Sequence, residues 1–205
     1  MSFPSSLWRG ASETRGTTPV ETTGPDAFDW QRMLSELLEI QKAAAGLLYA
    51  NTAASSEVEN TVVATAFDVS YTMPANTIVA GDRLKIRARG IVVDNNSTDT
   101  LALALKIGST TIASIGAEDV ADNDEFLIEA EIFAVSTAAA LVTKLVSDLA
   151  APASWTLTRT GTAEVALDFT SALAITVVAT WSVAHADNEV KLTQLTVERQ
   201  RYLAA

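Results

Sequence analysis

A strict alternation of apolar and polar residues between positions 65 and 115 limits what this chain can fold into. In the clearest run, apolar residues alternate with basic ones, as Arg83, Leu84, Lys85, Ile86, Arg87, Ala88 and Arg89. Successive side chains of a β-strand point to opposite faces, so this period of two places one face in a core and the other in water. Residues 67–73 and 101–107 repeat the period, and turn-forming residues separate the runs. The stretch therefore predicts a β-sheet core.

Further strand patterns follow along the chain. Residues 125–135 and 173–184 alternate in the same way, and residues 155–169 predict two short strands around Gly161. The alternation of the last run, 189–199, slips near Thr193 and Gln194, which predicts a β-bulge. About eight strands at this spacing predict a mainly β chain built as a two-sheet antiparallel β-sandwich or jelly roll.

Residues 1–25 form a region rich in Ser, Thr, Gly and Pro, in which Phe3, Leu7 and Trp8 stand out as apolar. One interpretation is a disordered tail. The other is an extended arm that becomes ordered when these three residues anchor it in a neighbouring protein, because a solvated tail gains nothing from large apolar side chains. We favour the anchoring arm.

Residues 26–49 carry the strongest helix pattern, beginning after Pro25 and Asp26. Six apolar residues follow at intervals of three, four, three, four and three: Trp30, Met33, Leu37, Ile40, Ala44 and Leu47. This heptad spacing predicts an amphipathic helix with a broad apolar face. The face could pack on the chain's own β domain, associate as a homotrimer, or dock onto the surface of a larger assembly. Residues 50–61 are polar and predict a linker, which leaves 62–205 as the β-sandwich domain.

Composition excludes several functional classes. The net charge of −11 argues against nucleic-acid binding, which requires a basic surface. The chain has no cysteine, which excludes disulfides and thiolate chemistry. No secretory signal and no apolar run long enough to span a membrane is present. The single histidine, His185, lies in a polar turn, and no catalytic motif accompanies it. We expect no enzyme activity, no cofactor and no metal.

Two loops rich in side-chain oxygens, 94–99 and 119–125, need separate consideration as calcium sites. Hard cations prefer six to eight oxygen ligands, which such loops can supply in part. Asp, Asn and Ser are equally the residues that β-turns use, and neither loop has the spacing or the glycine of an EF-hand. The turn interpretation is therefore preferred.

Several segments resemble a known protein family. They are Met73 to Ile78 followed by Ala80-Gly81-Asp82, Asn96 to Leu101, Leu105 to Gly108, Asp119 to Asp124, and Ala179 to Ser182 leading to Asn188. Together they resemble jelly-roll-like virion structural proteins of tailed bacteriophages over roughly residues 60–200. Residues 138–150 have a helical spacing of leucines, but the resemblance implies a strand, and we predict a strand.

The resemblance implies a virion protein assembled in the bacterial cytoplasm, with other virion proteins as partners. We expect a capsid decoration or head fibre module, attached through the arm and the helix. The alternative is a tail fibre or receptor-binding module that recognises host surface glycans. Aromatic residues are only 6% of the chain, and Trp155 is the one plausible exposed stacking platform, so the structural role is preferred.

The basic residues of the run 83–89 form a row on one face of a strand, and the sequence also contains an acidic row that could face them. Glu125, Glu129 and Glu131 also lie on one face of a strand. Opposite charges on neighbouring strands stabilise a sheet by roughly 0.2–1 kcal/mol per pair. We therefore expect the two rows to face each other in one sheet as a solvated ladder, since four cations without an aromatic residue are a poor phosphate track.

The heptad pattern predicts that the free protein is an oligomer, most simply a trimer. Replacing Leu37 and Ile40 together with aspartate places two charges in the apolar seam, so the oligomer should dissociate at concentrations where the unmodified protein stays assembled. Light scattering with size-exclusion chromatography measures this. A monodisperse monomer formed by the unmodified chain would contradict the prediction.

Overall fold

The protein is described from a computed structural model. It covers residues 46–150 and 164–201, together with residues 32–34 and 36, but not the side chains of residues 144, 147, 148 and 150. The chain divides into two units, residues 1–40 and residues 41–205. In the first unit the described residues 32–34 and 36 are helical. The second unit contains the strands.

Twelve strands make up the described part of the second unit. They are β1 (Leu47–Ala50), β2 (Val58–Glu59), β3 (Thr65–Ala66), β4 (Tyr71–Met73), β5 (Arg83–Asp94), β6 (Thr100–Ile107), β7 (Thr110–Asp119), β8 (Glu125–Ala134), β9 (Ala139–Ala150), β10 (Glu164–Ala166), β11 (Leu173–Trp181) and β12 (Glu189–Gln200). Seven form a large sheet in the order β1-β12-β5-β8-β9-β10, with β2 also paired to β12. Five form a small sheet in the order β3-β11-β6-β7, with β4 also paired to β11.

These pairings confirm the predicted fold class. Every pairing between the described strands is antiparallel, and the two sheets enclose one core as a β-sandwich. The sandwich has more strands than the eight or so that alternation predicted. The additional ones, such as β2 and β3, have only two residues, which is too short for a period of two to be visible.

The core lies between the inward faces of the long strands. Leu84, Ile86 and Ala88 of β5 are buried as their alternation predicted. Trp181, the largest of the fully buried side chains, ends β11, and its indole N–H donates to the carbonyl of Val58 at 3.2 Å. This hydrogen bond satisfies the indole N–H, which is the polar group of the Trp181 side chain. Burial of the ring stabilises the fold by roughly 1.5–3 kcal/mol or more.

The predicted bulge in the last strand is confirmed. The register of β12 against β5 shifts between Leu192 and Gln194. The Thr193 hydroxyl at the shift donates to the Arg89 carbonyl at 3.1 Å. β9 is likewise a strand, as predicted, and pairs with β8 along its length. β10 falls within the predicted run 155–169, whereas residues 151–163, including Trp155 and Gly161, lie outside the described residues.

The predicted helix 26–49 is wrong at its C-terminal end. Gly46 has a φ of 64°, in the left-handed region that ends helices, and its carbonyl accepts the Arg199 N–H at 2.5 Å. The next residues form β1, which pairs with β12. Leu47 is therefore a strand residue and not part of the predicted seam, because pairing with a long strand outweighs helical spacing.

The predicted linker 50–61 is also wrong, since this segment lies along the large sheet. The Asn51 N–H donates to the Leu195 carbonyl at 3.2 Å, and the Ser55 N–H donates to the Leu192 carbonyl at 2.8 Å. Ser55 and Val58 are buried. The sandwich therefore begins at β1 and not at residue 62.

Gly90 is a position where the sheet has no room for a side chain. A Cβ atom there would lie 2.1 Å from the Lys191 carbonyl oxygen and 2.2 Å from the ring of Phe126. Phe126 is fully buried, so its ring has little space to move away. The missing side chain of Gly90 is what allows this aromatic ring to pack against the backbone of β5.

Gly90→Ala should therefore lower the free energy of unfolding by about 3 kcal/mol, the upper part of the range for overpacked cores. Urea denaturation followed by tryptophan fluorescence measures the change. Gly116→Ala in β7 is the matched control, because nothing lies within 4 Å of its Cβ position, and we expect a change within about 0.5 kcal/mol. Equal denaturation midpoints for the two variants would show that the predicted clash at Gly90 does not occur.

Candidate functional site

The sandwich has two ends that differ in charge. We call one of them the proximal end, because the chain enters the sandwich there, at Gly46. The same end contains the turns 74–82, 135–138 and 167–173 and the strand end 199–201. The acidic end, at the other termini of the same strands, contains the segments 57–60, 94–99, 118–124 and 182–191. Its segments carry one lysine, Lys191, and ten carboxylates: Glu57, Glu59, Asp94, Asp99, Glu118, Asp119, Asp122, Asp124, Asp187 and Glu189. The proximal segments carry two carboxylates and two arginines, Asp82, Asp168, Arg199 and Arg201.

Carboxylates at the acidic end hold the turns of the two loops considered as calcium sites. Asp94 Oδ1 and Asp122 Oδ1 each accept the Asn95 N–H at 2.9 Å, so the loops contact each other. Asp124 Oδ2 accepts the Ala121 N–H at 2.8 Å within its own turn. These bonds are the ones that the turn interpretation predicts.

Asn188 joins the loops of the acidic end from a fully buried position. Its Nδ2 donates to Asp99 Oδ2 at 2.9 Å and to the Val183 carbonyl at 3.0 Å. Its Oδ1 accepts the Asn96 N–H at 2.9 Å. A buried amide with both ends satisfied fixes the relative positions of these loops.

Three carboxylates meet at one corner of the acidic end. Side-chain oxygens of Glu57, Glu59 and Glu189 all lie within 4.8 Å of one another. Glu189 of β12 also stands directly opposite Glu59 of β2 on one side and Asp94 of β5 on the other. Partial burial, and then the negative charges of Glu57, Glu59 and Asp94, raise the pKa of Glu189 above its usual value.

This acidic corner could offer oxygen ligands to a hard cation, which would require further oxygens to complete its shell. Among the described residues, no other group of three or more Asp, Glu and His side chains is close enough to share an ion. Lys191 already supplies a positive charge, since its Nζ pairs with Glu57 Oε1. The geometry is therefore that of like charges partly neutralised by a lysine.

The proximal end has an ion pair between a buried aspartate and an exposed arginine, beside exposed apolar residues. Asp82 is buried. Its carboxylate accepts hydrogen bonds from the Val79 N–H at 3.1 Å and from the Arg201 Nε–H at 3.2 Å. Val79 is 40% exposed, Val135 46% and Leu47 60%. The turn of Val79 joins the strand before Val135 through hydrogen bonds of Gly81 and Asp82 with Ala134. The end where the chain enters thus carries apolar surface.

The predicted facing of the two charged rows is confirmed, but the ladder is not solvated along its whole length, because Glu129 is buried. β5 and β8 are adjacent, and the four basic residues meet three glutamates across them. The pairs are Arg83–Glu131 at 3.8 Å, Lys85–Glu129 at 4.0 Å, Arg87–Glu129 at 3.7 Å and Arg89–Glu125 at 3.0 Å. Since every cation of the row has a carboxylate within about 4 Å, the ladder is a sheet contact and an anionic partner is not required.

A cavity of about 370 Å³ lies where the edge strand of the large sheet meets the loop between β3 and β4 of the small sheet. Its lining residues are Tyr49, Ala50, Asn51, Thr52, Ala53, Ala54, Asp68 and Val69. Tyr49 stacks on Tyr71 with ring centroids 5.2 Å apart, and burial raises the pKa of Tyr71. Tyr49, which this stacking holds in place, is the aromatic residue that lines the cavity.

Most of the predicted anchoring and oligomerisation residues lie outside the described residues. They are Phe3, Leu7, Trp8, Trp30, Leu37, Ile40 and Ala44. Met33 lies within the described residues and is helical. It is 53% exposed, and the neighbouring Leu34 is 62% exposed. Arg32 Nε pairs with Glu36 Oε1 at 3.0 Å, one helical turn away.

His185 occupies the turn predicted for it. Its Nδ1 accepts the Asp187 N–H at 3.2 Å and lies 3.6 Å from Asp187 Oδ2. These contacts stabilise a local turn. Within the described residues, no helix is long and apolar enough to cross a lipid bilayer.

Sequence reasoning missed the lining of the cavity and the acidic corner. The helix predicted over 26–49 includes Tyr49, and the alternation of residues 67–73 indicates Asp68 only as a polar strand residue. The linker predicted over 50–61 includes Glu57 and Glu59. Their apolar companion Val58 was the available signal, because an isolated valine between two glutamates fits the alternation of an edge strand.

Comparison with known proteins adds structural similarities at low identity. No family model matches the chain, and no curated protein matches it. The CBM2 module of the evolved Dit of Lactobacillus casei BL23 phage J-1 is similar with a TM-score of 0.39 and 11% identity, over 79% of this chain and 82% of that one. Lectin UEA-II in complex with galactose has a TM-score of 0.38 and 7% identity, over 76% and 86%. Lectin I-B4 from Griffonia simplicifolia, in a metal-free form, has a TM-score of 0.33 and 7% identity, over 67% and 80%. The β-sandwich described above rests on the strand pairings of this chain itself.

Glu189→Gln should stabilise the protein at pH 7 by roughly 0.2–1 kcal/mol for each like-charge pair removed. A carboxyl whose pKa is raised on folding contributes stability below its usual pKa and loses that contribution as pH rises through the folded value. The gain should therefore vanish near pH 3, where Glu189 is protonated. Urea denaturation at both pH values measures it, with Glu198→Gln, on the same strand but away from this corner, as control. A gain that is equal at pH 3 and pH 7 would contradict the charge explanation.

Proposed function

We propose that this chain is a non-catalytic structural protein of a tailed-phage virion, a capsid decoration or head fibre module that its N-terminal region attaches to the particle. The observation that carries the proposal is the difference between the two ends of the sandwich. The chain enters at an end where two carboxylates are balanced by two arginines, and the opposite end is strongly acidic, with ten carboxylates against one lysine. Exposed apolar side chains occur at both ends, as Val135 and Val183 show.

The proximal end suits a surface that assembly covers. Leu47, Val79 and Val135 are exposed there although they are large and apolar. This end is also the less charged of the two, and charged residues are depleted at the centres of protein interfaces. The Asp82–Arg201 pair makes the same end rigid, because the buried carboxylate is held by both the turn and the last strand.

The acidic end suits a surface that faces solvent. Ten carboxylates against one lysine give it a negative potential, which keeps neighbouring copies and other acidic molecules apart. Copies arranged with this end outward would present a uniformly charged, soluble exterior. The interior of the particle, where nucleic acid lies, is an unsuitable environment for it.

The helical residues of the first unit support attachment through the N-terminal region. Met33 and Leu34 are both more than half exposed, so a partner, either another copy or a virion protein, would gain by covering them. We propose the homotrimer as the assembled form, with assembly in the bacterial cytoplasm.

Attachment is tested by replacing Phe3, Leu7 and Trp8 together with alanine in the full-length chain. We expect a folded protein that binds at least tenfold less to particles of the encoding phage that lack it, because the anchors of the arm are gone. Co-sedimentation measures binding, and circular dichroism confirms the fold. Alanine at Ser2, Ser5 and Ser6 is the matched control in the same arm. Normal co-sedimentation of the first variant would contradict the proposal.

A further inference from the structure

The cavity between the two sheet edges combines an aromatic ring with a carboxylate at a solvent-exposed surface. Tyr49 comes from the large sheet and Asp68 from the small-sheet side. The volume of about 370 Å³ is largely open to solvent, so the feature is a shallow groove that a ligand would occupy with one face exposed. These residues have no role in the attachment proposed above.

The Tyr49 ring is fixed before any ligand arrives. It stacks on Tyr71 with an angle of 18° between the ring planes, and both rings pack against the core. A ring held in this way offers apolar contact area at a low cost in conformational entropy. Such a surface suits the C–H face of a sugar ring.

Asp68 is equally preorganised. Its Oδ1 accepts the Ser56 N–H at 3.0 Å, and its Oδ2 accepts the Ser56 hydroxyl at 2.7 Å. The Ser56 hydroxyl is the largest of the contributions that lower the pKa of Asp68, so the group stays ionised at neutral pH. Backbone N–H groups of Val69 and of Asp68 itself also interact with the carboxylate. Because Asp68 is exposed, the acceptor capacity that is left can take a ligand hydroxyl in a charge-assisted hydrogen bond.

The loop that forms the floor of the cavity is held by Asn51. Its Nδ2 donates to the carbonyls of Ala53 at 2.7 Å and Thr193 at 3.0 Å, and its Oδ1 accepts the Leu195 N–H at 2.6 Å. The amide is thus occupied in positioning the loop against β12. The exposed Thr52 hydroxyl remains a further polar group at the surface of the cavity.

We infer that this cavity is a binding site for a neutral saccharide of one or two rings. Aromatic area, an ionised acceptor and a hydroxyl are the groups that recognise a polyhydroxylated ring. None of the described residues that line the cavity is positively charged, and Asp68 repels anions. Acidic sugars and phosphate groups are therefore disfavoured, and the site selects uncharged hexoses.

The test uses the full-length protein labelled at its alanine methyl groups. Ala50, Ala53 and Ala54 line the cavity and report on it directly. Methyl glycosides of glucose, galactose and mannose are titrated, with N-acetylneuraminic acid as the acidic comparison. We expect at least one neutral glycoside to shift these three methyl signals with a Kd on the order of 1 mM, and N-acetylneuraminic acid to leave them in place.

Two substitutions at exposed positions connect the shifts to the cavity without disturbing the core. Asp68→Asn removes the charge and should weaken binding about tenfold, the loss expected for a charge-assisted hydrogen bond. Ala54→Trp fills the cavity and should abolish binding. Asp168→Asn is the matched control, because Asp168 is also exposed and also held by hydroxyl groups, those of Thr170 and Ser171, away from the cavity.

The inference is overturned if no neutral glycoside shifts the three methyl signals at 100-fold the expected Kd, or if Asp68→Asn and Ala54→Trp bind like the unmodified protein. Tighter binding of N-acetylneuraminic acid than of any neutral glycoside would overturn it as well. Co-sedimentation of Asp68→Asn with particles should be unchanged, which separates a failure of this site from a failure of attachment.

Discussion

The pairing of β5 with β8 on one side and β12 on the other is the constraint on which the rest of the structure depends. The inward residues of β5 build the core, and its outward residues form the charged ladder with β8. The two termini of β5 also set the two ends of the sandwich, since Arg83 lies beside the proximal turns and Asp94 beside the acidic loops. One strand thus determines the layers, the charge pairing and the polarity of the molecule.

Much of this arrangement could be predicted because it depends on local patterns. The alternation in β5 and β8 predicted both the buried faces and the ladder, and the slip near Thr193 predicted the bulge. Local patterns failed where a short segment takes its conformation from a distant strand. Leu47 fits a helical seam by spacing, yet β12, about 150 residues later in the chain, pairs with it as a strand.

The candidate sites were less predictable, because each combines residues that are distant in the sequence. The acidic corner requires Glu57 and Glu59 to meet Glu189, and nothing in either segment specifies the other. The cavity requires the first strand of one sheet to meet a loop of the other, which the alternation of Phe67 and Val69 does not indicate. A carboxylate becomes a candidate ligand only through neighbours such as Ser56, which hold it and leave part of it exposed.

The position of β12 affects how the chain reaches its native state during synthesis. β12, which is synthesised after the other described strands, lies between β1 and β5, inside the large sheet. Until it arrives, one edge of β5 has no partner, and the segment from Leu47 to Val58 lacks the strand to which it hydrogen bonds. The nascent chain therefore exposes a long strand edge that can pair with other chains. The high sequence separation of these contacts also slows folding.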